Sequence, residues 1–588
     1  MKIRTPDSKD KNVIRIVIEI LGLVFLFLFP FLHINSGVDL TDTGYGLSNF
    51  ENFPNVNMTW SVSTFLSLLL GKLFTFLPGG HTCMGIYGYC MALSGIMVII
   101  IYFLLKRYIP WYAVLIGEFV AVGFSWAPKT CIYQYMSYYL LDIGALLILE
   151  SIRKEKKFLL FPAGFILALN SFIRFPNILD MGLILVVFLY GILKKKNILS
   201  HFVICFLSYI SGFILCIIPV SIIYGSNSYI GMINGLFGMT KEASDYEPTG
   251  MISTIVHDYY FFSKWYLVLL AYAIIAFFVY GVLKNTRAKA VFLGLLIPAF
   301  CVVSIILYKL GAFNFWYYAY SSIYGWGVFL IISAIILCVY RCIKEKDIVK
   351  RLLAFTILLV ILITPLGSNQ GLYTSINNLF LIVPFLLSFA LENVRELLTK
   401  KLSPADFLSN GKNTVPIRCV VFLTVMAALM QGTLFGMDFI FRDEPYLTGD
   451  FRTIEENRVL RNMRTGTTNA ETLEEISRFA YDNGLNGKKA IFYGQIPLLS
   501  YCLEMPCAIG HTWPSLDSYT IEELKAELKE MDGLPYFIYR NDICDYFSAD
   551  GDNITTEKEK LLMSFIRDNN YHEIFRNSRF SILAPGNI

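Results

Sequence analysis

Transfer of a group to a hydroxyl needs a base within hydrogen-bond reach of that hydroxyl, and a carboxylate serves if the geometry is right. The stretch GVDLTDTGYGLSNFENF, residues 37–53, places Asp39, Asp42 and Glu51 directly after a long apolar run. Asp42 is the candidate base, with Asp39 supporting it from one helical turn away. The alternative is that the two acids merely end the apolar run and start a turn. Glu51 reads as a solvated or capping acid. If the group departs from a phosphate, cations or amide dipoles must stabilise the leaving charge. Arg174, in NSFIRFPN, lies between two apolar runs with almost no loop. A cation there is costly and marks either a functional site or a side chain snorkelling to the interface. Lys309 has the same kind of placement, and anchoring is the simpler reading. In TPLGSNQGLYTS, residues 364–375, Gly367 and Gly371 allow close backbone approach. Ser368, Asn369 and Gln370 offer hydrogen bonds to a sugar or phosphate, although the same residues make an ordinary turn. His257 and Asp258 are two adjacent metal-ligand types, too few to define a site, so a divalent metal is left open. The stretch GSNSYIGMINGLFGMTKEASDYEPTG reads as a long outer loop able to cover a site.

These residues need a frame. The 588-residue chain is 55% hydrophobic and only 16% charged, with a mean hydropathy of +0.56. That composition predicts a polytopic α-helical membrane protein. A net charge of +4 gives no indication of nucleic acid as a partner. The twelve cysteines form no C-x-x-C pair and no zinc spacing. Cys502, Cys507 and Cys544 leave room for one disulfide or for free thiols.

Thirteen apolar segments predict spans: 13–33, 83–105, 111–127, 134–151, 158–173, 177–193, 198–224, 262–283, 290–308, 317–340, 352–366, 375–391 and 417–440. The first is too long for a signal-peptide core and lacks a small-x-small cleavage site. With a cytoplasmic N-terminus, the basic clusters at 106–107, 153–157, 194–196, 284–289, 341–351 and 395–418 all fall inside. Outer loops hold single cations, among them Lys72, Lys129, Arg174, Lys241, Lys264 and Lys309. This bias fixes the orientation. The stretch 59–80 is apolar, but counting it as a span would reverse every later loop. It reads as a helix in the outer interface. The predicted organisation is a transmembrane module, 1–441, with a long first outer loop, 34–82, and an extracytoplasmic α/β domain, 442–588. In that domain, Thr468–Glu471 and Thr520–Glu523 read as capping boxes. KKAIFYG, PYFIYR, HEIF and FSIL read as strands, with a helix near 556–568. It lacks a glycine-rich phosphate loop and a nucleophile elbow, and is expected to cover or support a membrane site.

One span, an acid-bearing outer loop with interfacial helices, about twelve further spans and an outer α/β domain together resemble the membrane glycosyltransferases of the GT-C fold. The likeness is to the lineage of protein O-mannosyltransferases and bacterial aminoarabinose lipid A transferases. That lineage opens its first outer loop with an acidic pair, a small residue and Tyr. TDTGY is similar, with Asp42 as the first acid, Thr43 in place of the second, and Tyr45 as the aromatic. NSFIRFPN resembles its outer-edge cation, at Arg174, and KKAIFYGQIPLLSYCLEMP its C-terminal strand, turn and helix. The resemblance implies sugar transfer, with inversion, from a polyprenyl-phosphate donor to an extracytoplasmic glycan, lipid or protein. It places the protein in the plasma membrane among membrane lipids, with Arg174 and Lys309 on the donor phosphate and Tyr45 near substrate. A lipid-linked glycan polymerase or flippase shares the spans and outer cations, but a flippase needs no base. A secondary transporter predicts paired halves, and no internal repeat is visible; Asp142 and Asp180 are its few ionisable residues within spans, both read as lying near the outer ends.

Overall fold

The computed structural model describes residues 8–239, 247–311, 316–399, 415–516, 519–544, 547 and 556–586. Among them, nine helices are long and apolar enough to cross a membrane, so the chain is a polytopic α-helical membrane protein. A tenth is counted if the bent pair Gly371–Asn377 and Ile382–Glu392, meeting at 71°, forms one span. Each of the thirteen predicted segments holds a helix, but length separates them. Trp111–Phe124 and Leu160–Ile173 have 14 residues each, and Ile348–Ile363 has 16. At 1.5 Å per residue these rise only about 21–24 Å, short of a bilayer core, so the count of thirteen is not established. The segment 262–283 is the second half of a 35-residue helix, Pro248–Val282.

The loop expected to act as a cover, 225–250, contains a helix, Ser228–Met239, packed on Met58–Ser63; residues 240–246, including Lys241, lie outside the described residues. Lys400, Lys401 and Lys412 of the 395–418 cluster lie outside them as well. The interfacial stretch at 59–80 is two helices, Met58–Ser63 and Phe65–Thr75.

The helix Ile132–Lys154 orients the bundle. At its far end the buried Glu150 carboxylate accepts Arg107, Arg153 and Lys154 at 2.7, 2.8 and 2.9 Å. At its near end Thr130 and Cys131 touch the acid loop, through Thr130 Oγ1 to Thr43 O at 3.1 Å. Twenty-three residues of helix separate basic clusters from acids by about 35 Å, one on each membrane edge.

After Asp438 the chain enters a small α/β unit. β1 (Phe451–Thr453) and β2 (Arg464–Gly466) pair antiparallel. β3 (Ala490–Tyr493), β4 (Tyr536–Arg540), β5 (His572–Arg576) and β6 (Phe580–Ala584) form a mixed sheet in the order β3-β4-β6-β5. The four predicted strands are all present. The Thr520–Glu523 capping box forms, and a second forms at Thr556–Glu559. The box at Thr468–Glu471 does not: that helix begins at Thr467 behind Gly466, so Thr468 already lies inside it. All twelve cysteines are free, so no disulfide links Cys502, Cys507 or Cys544.

The unit docks on the first outer loop through backbone bonds. Arg464 N–H donates to Asn35 O at 2.6 Å, Asn57 N–H to Gly510 O at 2.6 Å, and Leu498 N–H to Leu40 O at 3.1 Å. One hydrophobic core runs through the bundle, the outer loop and this unit.

Candidate functional site

The acids sit at the start of a short helix, Asp42–Asn52, whose N-terminal N–H groups need acceptors. Asp39 supplies one. Its carboxylate accepts Thr43 N–H at 3.0 Å and the Thr41 hydroxyl at 2.8 and 3.0 Å. It is buried, and its oxygens are engaged in fixing the helix start.

Asp42 is different. Its side chain is about one-third exposed, and its charged partner is Arg442, with Nη2 at 3.3 Å from Oδ2. Burial pushes its carboxyl up to about 6, against the pull of Arg442 and with a further push from Asp39. A carboxylate of that basicity is half-ionised just below neutrality, the range useful to a general base.

Tyr45 faces the C-terminal unit. Its hydroxyl lies 3.1 Å from His511 Nε2, and its ring packs near Trp60, His511 and Trp513. Trp513 N–H donates to His511 Nδ1 at 3.1 Å, so Nε2 carries the hydrogen and donates to Tyr45. Burial, with Lys558 nearby, holds this imidazole down at about 3, so it stays neutral. Tyr45 is therefore a docking residue between the loop and the unit. The turn after β3 completes that dock. Ser48 Oγ donates to Pro497 O at 2.5 Å, and a Cβ on Gly44 would lie 2.5 Å from Leu498 N.

Arg174 ends the helix Leu160–Ile173 and donates from Nη2 to Gly367 O at 2.7 Å. Two predicted features, the edge cation and the 364–375 hairpin, thus meet. Gly367 has φ +76°, and a Cβ there would lie 2.3 Å from Pro176, so the hairpin closes on the segment after Arg174 only with glycine. Within the hairpin Ser368 is buried and accepts Gln370 N–H at 3.2 Å, Asn369 is half-buried and Gln370 is exposed. The Ser368 hydroxyl serves its own turn, which leaves Asn369 and Gln370 facing outward. Lys309 is exposed at the end of Thr286–Lys309 and makes no hydrogen bond or ion pair among the described residues.

The hairpin continues into Gly371–Asn377, capped by Asp258, whose Oδ2 accepts Leu372 N–H at 3.0 Å. Asp258 is thereby a structural cap. Its neighbour His257 lies 4.0 Å away and is mostly exposed. Tyr373 of this turn joins an aromatic wall, with ring centroids 4.3 Å from Trp126, 5.2 Å from Tyr324 and 6.3 Å from Tyr320. The Tyr320 hydroxyl in turn accepts Arg442 N–H at 3.4 Å. A chain of contacts therefore runs from Asp42 through Arg442, Tyr320 and Tyr373 to the hairpin and Arg174.

A cavity of about 120 Å³ opens behind Thr43, lined by Ser36, Tyr87, Tyr135 and Lys129. The Lys129 amine donates to His33 O at 2.5 Å, and burial holds it down at about 7. Among the described residues no three His, Cys, Asp or Glu side chains converge as metal ligands. Asp42 faces a guanidinium, and Asp39 accepts the Thr41 hydroxyl and Thr43 N–H.

Three features escaped the sequence reading. Arg442 and His511 are distant in sequence from the residues they serve, Asp42 and Tyr45. Glu118, fully buried in Trp111–Phe124, was counted as part of an apolar run, and its oxygens find no hydrogen-bond donor among the described residues. Asp142 lies ten residues into its helix and is fully buried, deeper than the outer-end placement expected, and Asp180 is buried against Asn170 at 2.7 Å.

No protein-family model matches the chain, and no curated protein matches it. Solved structures do align. The oligosaccharyltransferase of Archaeoglobus fulgidus, in a complex with Zn and sulfate, aligns over 96% of this chain and 73% of its own, at 10% identity and a TM-score of 0.46. The same organism's oligosaccharyltransferase AglB, with an inhibitory peptide and a dolichol-phosphate, aligns over 95% and 73%, at 10% identity and a TM-score of 0.42. ArnT from Cupriavidus metallidurans, bound to undecaprenyl phosphate, aligns over 97% of both chains, at 8% identity and a TM-score of 0.41.

Proposed function

We propose that the protein is an integral membrane glycosyltransferase that moves a sugar from a polyprenyl-phosphate donor to a hydroxyl on the extracytoplasmic face, with inversion. The observation that carries this reading is Asp42: a partly exposed carboxylate of raised basicity at the membrane edge, linked by contacts to a second edge cation, Arg174. The basic clusters at the opposite end of the bundle support the outer placement. Domains 1–441 and 442–588 divide the labour, the first holding the donor and the second fixing the acid loop.

In the proposed step the acceptor oxygen attacks the anomeric carbon from the face opposite the phosphate. The bond from that carbon to the phosphate oxygen breaks, and its electron pair leaves with the polyprenyl phosphate. The acceptor proton passes to Asp42. Arg174 balances the phosphate charge, with Lys309 as an outlying cation, and Asn369 and Gln370 face the sugar.

The test is transfer of radiolabelled sugar from polyprenyl-phosphate donors by the purified protein. Product formed by the parent chain and lost in Arg174→Ala supports the reading. Arg174→Lys should keep part of the activity, because charge survives while the bidentate contact does not. Normal donor use by both variants would leave Arg174 an anchor only.

A second reading is favoured by one observation. Fully buried Glu118 and Asp142 inside the bundle are the kind of carboxyls that mark ion paths. Under that reading, a proton- or cation-coupled transporter, Glu118→Gln abolishes ion-coupled uptake in proteoliposomes. Under the transferase reading it leaves sugar transfer intact apart from stability.

A further inference from the structure

Arg442 is held in an unusual way. It stands four residues past the helix Val415–Asp438, in the left-handed backbone region at φ +51°, which a non-glycine residue adopts at a cost. Its backbone is clamped by three tyrosines that precede or start the helix Tyr320–Lys344. Tyr317 OH donates to Asp438 Oδ2 at 2.9 Å, Tyr318 OH to Ile440 O at 3.0 Å and Asp443 O at 2.5 Å, and Tyr320 OH accepts Arg442 N–H. The next residue, Asp443, accepts Thr465 Oγ1 at 2.7 Å and Gly466 N–H at 3.2 Å, tying the segment to β2. The side chain, by contrast, is about half exposed. Its Nη1 donates to Thr41 Oγ1 at 2.5 Å and its Nη2 reaches Asp42. The same Thr41 hydroxyl donates to Asp39, so Asp39, Thr41, Arg442 and Asp42 form one network. The backbone is fixed, and the half-exposed guanidinium is held only through Thr41, Asp42 and the face of the Phe441 ring.

An arginine paired with the base is a paradox for catalysis, because it weakens that base. A half-exposed ion pair is also weak, roughly 0–1 kcal/mol, so a better anion can take the arginine. A phosphate monoester or diester binds a guanidinium bidentately and carries charge on several oxygens. We infer that Arg442 is a phosphate-responsive switch: in the free protein it covers the Asp42 carboxylate, and a donor phosphate at this edge draws it away and uncovers the base. This rests on the transferase reading and adds to it a gate against proton transfer before donor binds. It also gives the C-terminal unit a mechanical role, since that unit sets where Arg442 stands.

The experiment uses the full chain in nanodiscs with undecaprenyl phosphate as probe. Two quantities are read: the dissociation constant, and the pH midpoint at which a carbodiimide labels Asp42, measured by peptide mass. Carbodiimides react with the protonated carboxyl, so the midpoint follows its titration. In the parent chain the lipid should raise the midpoint, because Arg442 leaves and an anion arrives. In Arg442→Gln the midpoint should start higher and rise less on adding lipid, and affinity should fall by about tenfold or more, the usual worth of a charged hydrogen bond. Arg442→Lys should fall between. Inorganic phosphate at millimolar concentration should reproduce part of the rise, whereas phosphatidylglycerol nanodiscs alone should not. Equal affinity and equal midpoint shifts in the parent chain and Arg442→Gln would overturn the switch while leaving the donor reading standing. A full rise with phosphatidylglycerol alone would also overturn it. Absence of saturable binding of undecaprenyl phosphate to the parent chain would instead remove the donor reading, and with it the switch.

Discussion

Asp39 and Asp42 carry the same functional group three residues apart, and their surroundings assign them different work. Asp39 accepts the Thr41 hydroxyl and Thr43 N–H at the helix start; Asp42 is partly exposed beside Arg442. Asp42→Asn retains size and most hydrogen bonding but loses basicity, so turnover should fall about 10²–10⁴-fold. Thermal stability at pH 7.5 should not fall with it. Between about pH 4 and 6 the folded chain keeps a proton on Asp42 that the unfolded chain has released. The carboxyl thus favours folding at low pH, and that contribution fades as pH rises through about 6. Removing the charge removes this loss, so the melting temperature of Asp42→Asn should match or exceed the parent value. The same titration predicts an acid limb near pH 6 in kcat/KM, which reports the free protein. Asp39→Ala should show the opposite signature, losing about 0.5–2 kcal/mol of stability through the missing cap with a smaller direct effect on turnover.

The helix Asp42–Asn52 carries the site only because one of its faces is pressed against the turn that follows β3. Gly44 is the closest point, with space for hydrogen only beside Leu498. Gly44→Ala forces the backbone of one element away from the other. It should cost about 1–3 kcal/mol, as overpacking does, and lower transfer more than Tyr45→Phe, which removes the hydrogen bond to His511. A matched control is Gly238→Ala in the helix Ser228–Met239, where a Cβ meets nothing within 4 Å. That substitution should be neutral or gain up to about 1 kcal/mol from helix propensity. Melting curves of the three variants in detergent separate these outcomes.

At the scale of the whole molecule, the helix Ile132–Lys154 links the two membrane edges, with Glu150 and its cations at one end and the acid loop at the other. In the orientation proposed from the positive-inside rule, the N-terminus lies in the cytoplasm and the C-terminal unit outside. A reporter active only in the cytoplasm, fused after Ile588, should be silent, and one fused after Lys154 should be active. The reverse pattern would invert the topology and remove the site from the donor's side.

Much of this was legible in the sequence because it depends on local periodicity. Apolar runs marked the helices, and alternating charge placement marked the two edges. Strands β3 to β6 and the Thr520 cap were visible because propensity and capping act over a few residues. The acid loop itself could be found because acids beside a span are rare. What the sequence could not show was pairing over long separations. Arg442 meets Asp42 across 400 positions, His511 meets Tyr45 across 466, and Arg174 meets Gly367 across 193. Nothing local to either partner specifies such a contact, because it follows from how whole helices pack. The same cause explains Asp39. In sequence it equals Asp42 as a candidate, and only the folded helix start, with Thr43 N–H pointing at its carboxylate, makes it a cap and leaves Asp42 as the proposed base.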